Sequence, residues 1–410
     1  MPHQGTRAPR YAAGDFRHMR DSATLCDRVF LRFPALDGKH ATMKLRYKIG
    51  LTLLTLVAIS LAGLAIALSY EAECGPAPAL ADNARTMQAI RYRCYGSPDV
   101  LKVEDVEVPA VGDDDVLVRV HAAAANPLDW HFMRGEPYIM RLMSGLGAPT
   151  DSRLGVDFAG TVEAVGRNVS RFSPGDPVFG GVTGAYGEYV RLRQDRAIVR
   201  KPDNLSFEQA AAVGIAGVTA LQGLRDKGRI QPGQKVLING ASGGVGTFAV
   251  QIAKALGAEV TGVCSTRNVE LVRSLGADHV IDYTQENFTE SGVQYDLILD
   301  NQGNHSLSDT RRAMTPNGIL VMVGGESDGN FIGPLKGPLM ARLQGPFVSQ
   351  QMKNFLAELR QADLEILAGM MESGLVTPVI DRRYPLAQVS EAIRYLETGR
   401  ARGKVIIKVL

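Results

Sequence analysis

The chain has 410 residues, enough for two domains and additional segments. It is 45% hydrophobic and 21% charged with a net charge of +2, an ordinary globular balance in which the fold as a whole advertises no nucleic-acid or membrane surface. The charge is uneven: residues 1–48 hold ten Lys/Arg and four Asp, net +6, and the rest carries net −4.

Residues 1–48 read as a disordered basic arm, rich in Arg, Ala, Gly and Pro without a sustained period. Alternatively, residues 1–42 are an upstream extension and the functional start is Met43. Residues 49–68, IGLTLLTLVAISLAGLAIAL, contain no charge. Twenty residues at 1.5 Å each reach about 30 Å, the thickness of the hydrocarbon core. This run reads as a transmembrane anchor. A cleaved signal peptide ending near Ala79-Leu80-Ala81 is the alternative, though the run is long for that. By the positive-inside rule the basic flank places residues 1–48 on the cytoplasmic side and the globular part outside; a cytoplasmic globular part stays open, and the arginine-rich arm also reads as a mitochondrial presequence, against which its four Asp count. Residues 69–86 are a linker.

Residues 87–206 alternate apolar and polar positions in short segments, as in MQAIRYRCYG and VLVRVHAAAA, separated by Pro/Gly/Asn turns. No βαβ repeat occurs there, so a separate, largely antiparallel barrel is expected. Gly155–Val165 reads as a strand pair with a glycine bend. Asn126-Pro127-x-Asp129 breaks the strand before it. Four cysteines occur, Cys26, Cys74, Cys94 and Cys264; their spacing fits neither a disulfide framework nor a structural zinc lobe.

Residues 207–349 alternate strands and helices. Phe207–Leu224 is helical and rich in Ala and Gly. Lys235–Asn239, the turn Ala241-Ser242-Gly243-Gly244-Val245-Gly246, a helix over Thr247–Leu256 and the strand Glu259–Cys264 form one strand–turn–helix–strand unit. The spacing Ala241-x-Gly243-x-x-Gly246 is the dinucleotide fingerprint with Ala in first place. Backbone N–H groups at such a turn point outward at the positive end of the helix dipole, where a diphosphate binds. After the second strand an NAD site would carry Asp or Glu. This chain has Cys264-Ser265-Thr266-Arg267-Asn268, hydroxyls and a guanidinium suited to a 2′-phosphate, so NADP(H) is expected. Asn301 and Gly324 end later strands, where such sheets hold ligands. Gly333–Pro346 reads as a loop near the ligand. Residues 350–410 begin with a helix, Gln350–Ser373, and end in a closing strand, Val405–Val409, that returns to the barrel.

Asn126-Pro127-x-Asp129, Gly155-x-Asp157-Phe158-Ala159-Gly160, Pro174-Gly175-Asp176, Ala241–Gly246, Leu275-Gly276-Ala277-Asp278 and Ala401-Arg402-Gly403-Lys404 together carry a family likeness over Met87–Leu410. The chain resembles the zinc-free branch of the medium-chain dehydrogenase/reductase superfamily, the quinone oxidoreductases. It is most similar to the mitochondrial reticulon-interacting subgroup, at GASGGVGTFA, VCS, ILDN and ARGK. The resemblance implies a doubly wound Rossmann sheet plus a GroES-like barrel, NADPH as cofactor, a quinone or α,β-unsaturated carbonyl as hydride acceptor, and a homodimer. It implies that Ser242, Gly244 and Val245 contact the pyrophosphate, that Ser265 and Arg267 bind the 2′-phosphate, and that Tyr283 flanks the adenine or its phosphate. It places Arg402 against the cofactor and Asn126 near the nicotinamide. Zinc-dependent relatives have Cys where this chain has Asn126, and His-Glu where it has Val156-Asp157, so no metal is expected. Tyr138, His131 and Trp130 follow Asn126 in a segment that borders the substrate, and none stands out as a general acid. Two other readings remain: an enone reductase carrying an incidental anchor, and a nucleotide-binding protein without turnover.

Overall fold

The computed structural model describes residues 45–323 and 349–410. The chain divides into two compact units, residues 1–60 and 61–410. In the first, the described part belongs to α1 (Leu45–Ser69). Residues 51–64 of this helix are all exposed.

In the second unit, β1 (Thr86–Arg91) and β2 (Lys102–Glu107) pair antiparallel. Next come β3 (Asp115–Ala125), α2 (Pro127–Arg134), α3 (Arg141–Ser144), β4 (Asp157–Val165), β5 (Pro177–Gly181), β6 (Tyr189–Arg193) and β7 (Ile198–Arg200). The expected strand pair at 155–165 is one continuous strand. Its Gly160 does not bend the chain; it lets β3 approach, since a Cβ there would lie 2.1 Å from the Arg119 carbonyl oxygen.

The parallel-sheet part follows with α4 (Phe207–Ala211), α5 (Gly214–Gln222), β8 (Lys235–Asn239), α6 (Gly244–Ala255), β9 (Glu259–Cys264), α7 (Val269–Ser274), β10 (His279–Asp282), β11 (Tyr295–Asp300), α8 (Leu307–Arg312), β12 (Met314–Met322) and β13 (Gln351–Asn354). Its strands run in the order β10-β9-β8-β11-β12-β13, all parallel, with the order reversing beside β8. Apolar residues fill both faces: Val236 and Ile238 enter one core and Leu237 another, which is why VLI reads as a continuous run.

The chain closes with α9 (Gln361–Glu372), β14 (Ile380–Pro385), α10 (Val389–Glu397) and β15 (Lys404–Lys408). β15 pairs antiparallel with β3 and so returns to the first sheet, as expected. That sheet has seven strands, β14-β15-β3-β4-β5-β7 with β6 also on β3. Ala122 and Ala124 of β3 share one core with Ala210, Ala211 and Val213 from the α4–α5 region, and small side chains on both sides let the two sheets' layers meet.

Three expectations need correction. The helix expected over Gln350–Ser373 starts only at Gln361; Gln351–Asn354 is a parallel strand made by pairing with β12. The helix expected over Phe207–Leu224 is interrupted at Ala212–Val213. Gly214 opens the second piece because a Cβ there would sit 2.1 Å from Asp157 Oδ1, which accepts the Ile215 N–H at 2.8 Å. Finally, Cys74 and Cys94 form a disulfide despite the unpromising spacing.

Candidate functional site

The strand–turn–helix of β8 and α6 builds the turn as its spacing demands. A Cβ on Gly246 would lie 2.1 Å from the Gly240 carbonyl oxygen, so only glycine lets α6 pack this close to the turn. A Cβ on Gly243 would meet nothing nearer than 3.6 Å, which leaves the surface above it open for a ligand's close approach. Gly244 and Val245 begin α6 and carry N–H groups of its first turn, which lack partners within the helix. Gly243 bridges Gly403, and the Gly403 N–H donates to the Ser242 carbonyl at 2.9 Å, so the C-terminal segment forms one wall.

A cleft of about 350 Å³ opens beside this turn. Ser242, Gly243, Ser265, Arg267 and Tyr283 line it together, so five of the expected residues converge. Asn268, which the sequence reading passed over, ties them: its Nδ2 donates to Ser242 Oγ at 2.9 Å and to Ser265 Oγ at 3.2 Å. Asn268 is buried, and its Oδ1 has no partner. Arg267 is exposed and donates to the Arg400 carbonyl at 2.8 Å. Arg400 also lines the cleft, and among the described residues no Asp or Glu does.

Other expected residues lie apart. Arg402 points its N–H at Asp381 and is not part of the lining, which takes Arg400 and Ala401 instead. Asn301 donates to the Asn239 carbonyl at 3.0 Å and leaves Oδ1 without a partner; its neighbour Gln302 reaches the cleft. Gly324 and the loop Gly333–Pro346 lie outside the described residues. The open space over Gly243 and, among the described residues, a lining with two arginines and no carboxylate fit a phosphate-bearing dinucleotide.

Asn126 is 1% exposed and belongs to a buried polar cluster in the other sheet's domain. Its Nδ2 donates to Asp157 Oδ2 at 2.9 Å and to the Ala124 carbonyl, while Lys404 Nζ donates to Asn126 Oδ1 at 2.5 Å and to the Ala125 carbonyl at 3.1 Å. Lys404 Nζ stands 3.5 Å from Asp157 Oδ2. Burial pushes the Asp157 carboxyl up and the Lys404 ammonium down, and each opposes the shift of the other. A metal does not fit here. The ammonium occupies the place of a cation, and among the described residues no three His, Cys, Asp or Glu side chains gather. Lys404 and Asp157 were in the quoted motifs, but their pairing spans a separation no local pattern reports.

Near this cluster lies a pocket of about 200 Å³ whose lining includes Tyr92, Asp129, Phe132, Met143, Ser144, Val156 and Thr183. Asp129 lies in the first turn of α2, and its side chain accepts the Asn126 N–H at 2.8 Å and the Tyr186 hydroxyl at 2.7 Å. Burial pushes its carboxyl up to about 7, with these two hydrogen bonds holding it from going higher. Trp130, His131 and Tyr138 are not among the lining residues. Trp130 stacks on His131 at 3.6 Å, His131 Nδ1 meets the Glu136 carbonyl at 2.7 Å, and Tyr138 lies against Arg141.

Residues 275–407 match the family model described as zinc-binding dehydrogenase, and residues 112–203 the alcohol dehydrogenase GroES-like domain. A quinone oxidoreductase of Homo sapiens is 33% identical over 80% of this chain and 99% of its own length. An NADPH-dependent alkenal/one oxidoreductase of the Arabidopsis thaliana chloroplast is 32% identical over 79% of this chain and 80% of its own. The solved quinone oxidoreductase of Coxiella burnetii superposes with a TM-score of 0.70 at 30% identity, covering 80% of this chain and 100% of that one.

Proposed function

Because the chain belongs to the medium-chain dehydrogenase/reductase superfamily of oxidoreductases, with the GroES-like and Rossmann-type domains of that fold, we propose that it is a zinc-independent, NADPH-dependent reductase of quinones or other electron-poor carbonyl compounds. The observation that carries the cofactor choice is the cleft beyond β9: Ser265, Arg267 and Arg400, with no carboxylate among the described lining residues to repel a 2′-phosphate. The turn from Ser242 to Gly246 binds the diphosphate through backbone N–H groups at the α6 N-terminus. When bound, the nicotinamide supplies a hydride. Reduction of the acceptor then also needs one proton. Asp129, on the pocket wall and titrating near neutral pH, holds that proton, and Tyr186 orients its carboxyl. Asn126, held by Lys404 and Asp157, is a positioning residue, since its amide is committed to the buried cluster.

The likeness to an alkenal/one oxidoreductase favours enones as a second acceptor class. A hydrophobic pocket wall with Phe132, Met143 and Val156 suits either acceptor. In the same reading α1 anchors the protein to a membrane, since its apolar residues are exposed rather than packed.

Titrating the full chain with NADPH and NADH, then following NADPH absorbance against a panel of quinones and enones, tests the reading. NADPH is expected to bind at least about tenfold tighter than NADH, about 1.4 kcal/mol. Ser265→Glu should reverse that preference. Equal affinities would overturn the assignment of Ser265 and Arg267. Tight binding with no oxidation by any acceptor would overturn the reductase reading in favour of a nucleotide-binding protein without turnover.

A further inference from the structure

Arg141 is the most completely used cation in the described chain's interior. Its side chain is 0% exposed. Nε donates to the Gly135 carbonyl, Nη1 to the Leu68 and Tyr70 carbonyls, and Nη2 to Glu71 Oε1 and the Arg134 carbonyl, which engages every N–H a guanidinium carries. The rings of Tyr95 and Tyr138 each lie 4.5 Å from its guanidinium carbon. The Leu68 and Tyr70 carbonyls stand at the C-terminal end of α1, where carbonyls lack helical partners and the dipole favours a cation. Just beyond, the Ala72 N–H donates to the Gly147 carbonyl at 2.9 Å, and a Cβ on Gly147 would lie 2.9 Å from the Tyr70 ring. The last turn of α1 is therefore seated on the 138–147 segment, not joined to it by a slack tether.

That same segment exposes Ile139, Leu142, Met143 and Leu146, at 40–86%. Four large apolar side chains within eight positions are this exposed among the described residues and mark a contact surface. Met143 and Ser144 also form part of the wall of the pocket that holds Asp129. The apolar patch thus lies in the same segment as the seat of residues 68–72 and shares Met143 with the pocket proposed for the acceptor.

We propose that residues 138–147 are a collar that rests on the lipid bilayer, so that the pocket beside Met143 takes a lipid-dissolved acceptor directly from the membrane. The occupant is a bilayer because the neighbouring chain, Gly50–Ser69, is itself long and apolar enough to cross one and leaves its side chains uncovered. The proposal rests on the reading of α1 as an anchor.

The full chain in phosphatidylcholine vesicles tests it. Leu142→Glu combined with Leu146→Glu changes two collar residues outside the pocket lining. It should raise KM for a long-chain benzoquinone held in the vesicles at least about tenfold, leaving kcat and KM for a short water-soluble quinone unchanged. An unchanged KM for the vesicle-held quinone, or an equal rise for both, would overturn the collar. A second readout does not depend on turnover: Leu142→Trp in a Trp130→Phe background should be quenched by brominated-chain lipid. Absence of quenching overturns the collar. If neither quinone is reduced by the unmodified chain while quenching occurs, the acceptor assignment fails and the collar stands.

Discussion

Asp129 shows how one side chain's surroundings set both its chemistry and its effect on stability. A carboxyl near 3.8 in the unfolded chain is pushed up to about 7 in the fold, mostly by burial. Between those values the folded state holds a proton that the unfolded state has released. Stability therefore falls as pH rises from about 4 to 7, at up to about 1.4 kcal/mol per pH unit, and levels off above. Asp129→Asn should flatten this slope in denaturant titrations run across that range. On the proposed function it should also lower quinone reduction while leaving NADPH affinity unchanged, because Asp129 lines the pocket proposed for the acceptor and not the cleft beside the glycine turn. A slope that persists in the variant would place the proton elsewhere. Asn126, next in the network, was singled out by its motif, yet its amide is spent on Asp157, Ala124 and Lys404. The residue type was legible, but its side-chain partners Asp157 and Lys404 were not, because they arrive from β4 and β15.

At the scale of elements, the β8–turn–α6 unit was readable almost residue by residue, since each glycine answers a local steric demand. Gly246→Ala should cost about 3 kcal/mol, because backbone and not a flexible side chain fills the space a Cβ would take. Gly243→Ala should cost under about 1 kcal/mol, because a Cβ there meets nothing nearer than 3.6 Å, and on the proposed function should instead weaken NADPH binding by about tenfold or more. Thermal unfolding and a binding titration on the two variants separate these roles; a reversal of the two effects would mean the diphosphate lies elsewhere. The interrupted α4–α5 segment marks the opposite case. Its Ala/Gly pattern favours one helix, and only the Asp157 carboxylate, meeting the α5 N-terminus at Ile215, fixes where the second piece begins. β13 was missed for a similar reason: two exposed and two half-buried residues become a strand only by pairing with β12.

For the molecule as a whole, Lys404 joins the parts. It follows Gly403, which bridges the dinucleotide turn, and its ammonium ends among Asn126, Asp157 and the Ala125 carbonyl of the other sheet's domain. Lys404→Met should cost about 3–5 kcal/mol, since it strands the Asp157 carboxylate in an apolar interior. Adding Asp157→Asn should recover part of that loss. A double-mutant cycle measured by chemical denaturation reads the coupling, and additive effects would show that the two charges act independently. The sequence by itself determined the strand and helix periods, the phosphate-binding turn, the absence of a carboxylate after β9 and the apolar run of α1, because each depends on neighbours within a few residues. Only the tertiary structure decided that Lys404 fills the cation's place beside Asn126 and Asp157, that Asn268 ties Ser242 to Ser265, and that Arg141 seats the end of α1. These contacts join positions from 3 to 278 apart in the chain, and the longer of them form only when distant strands and helices pack. Burial then gives each such charge or amide its hydrogen-bond partners, and no local pattern of residues encodes which ones they will be.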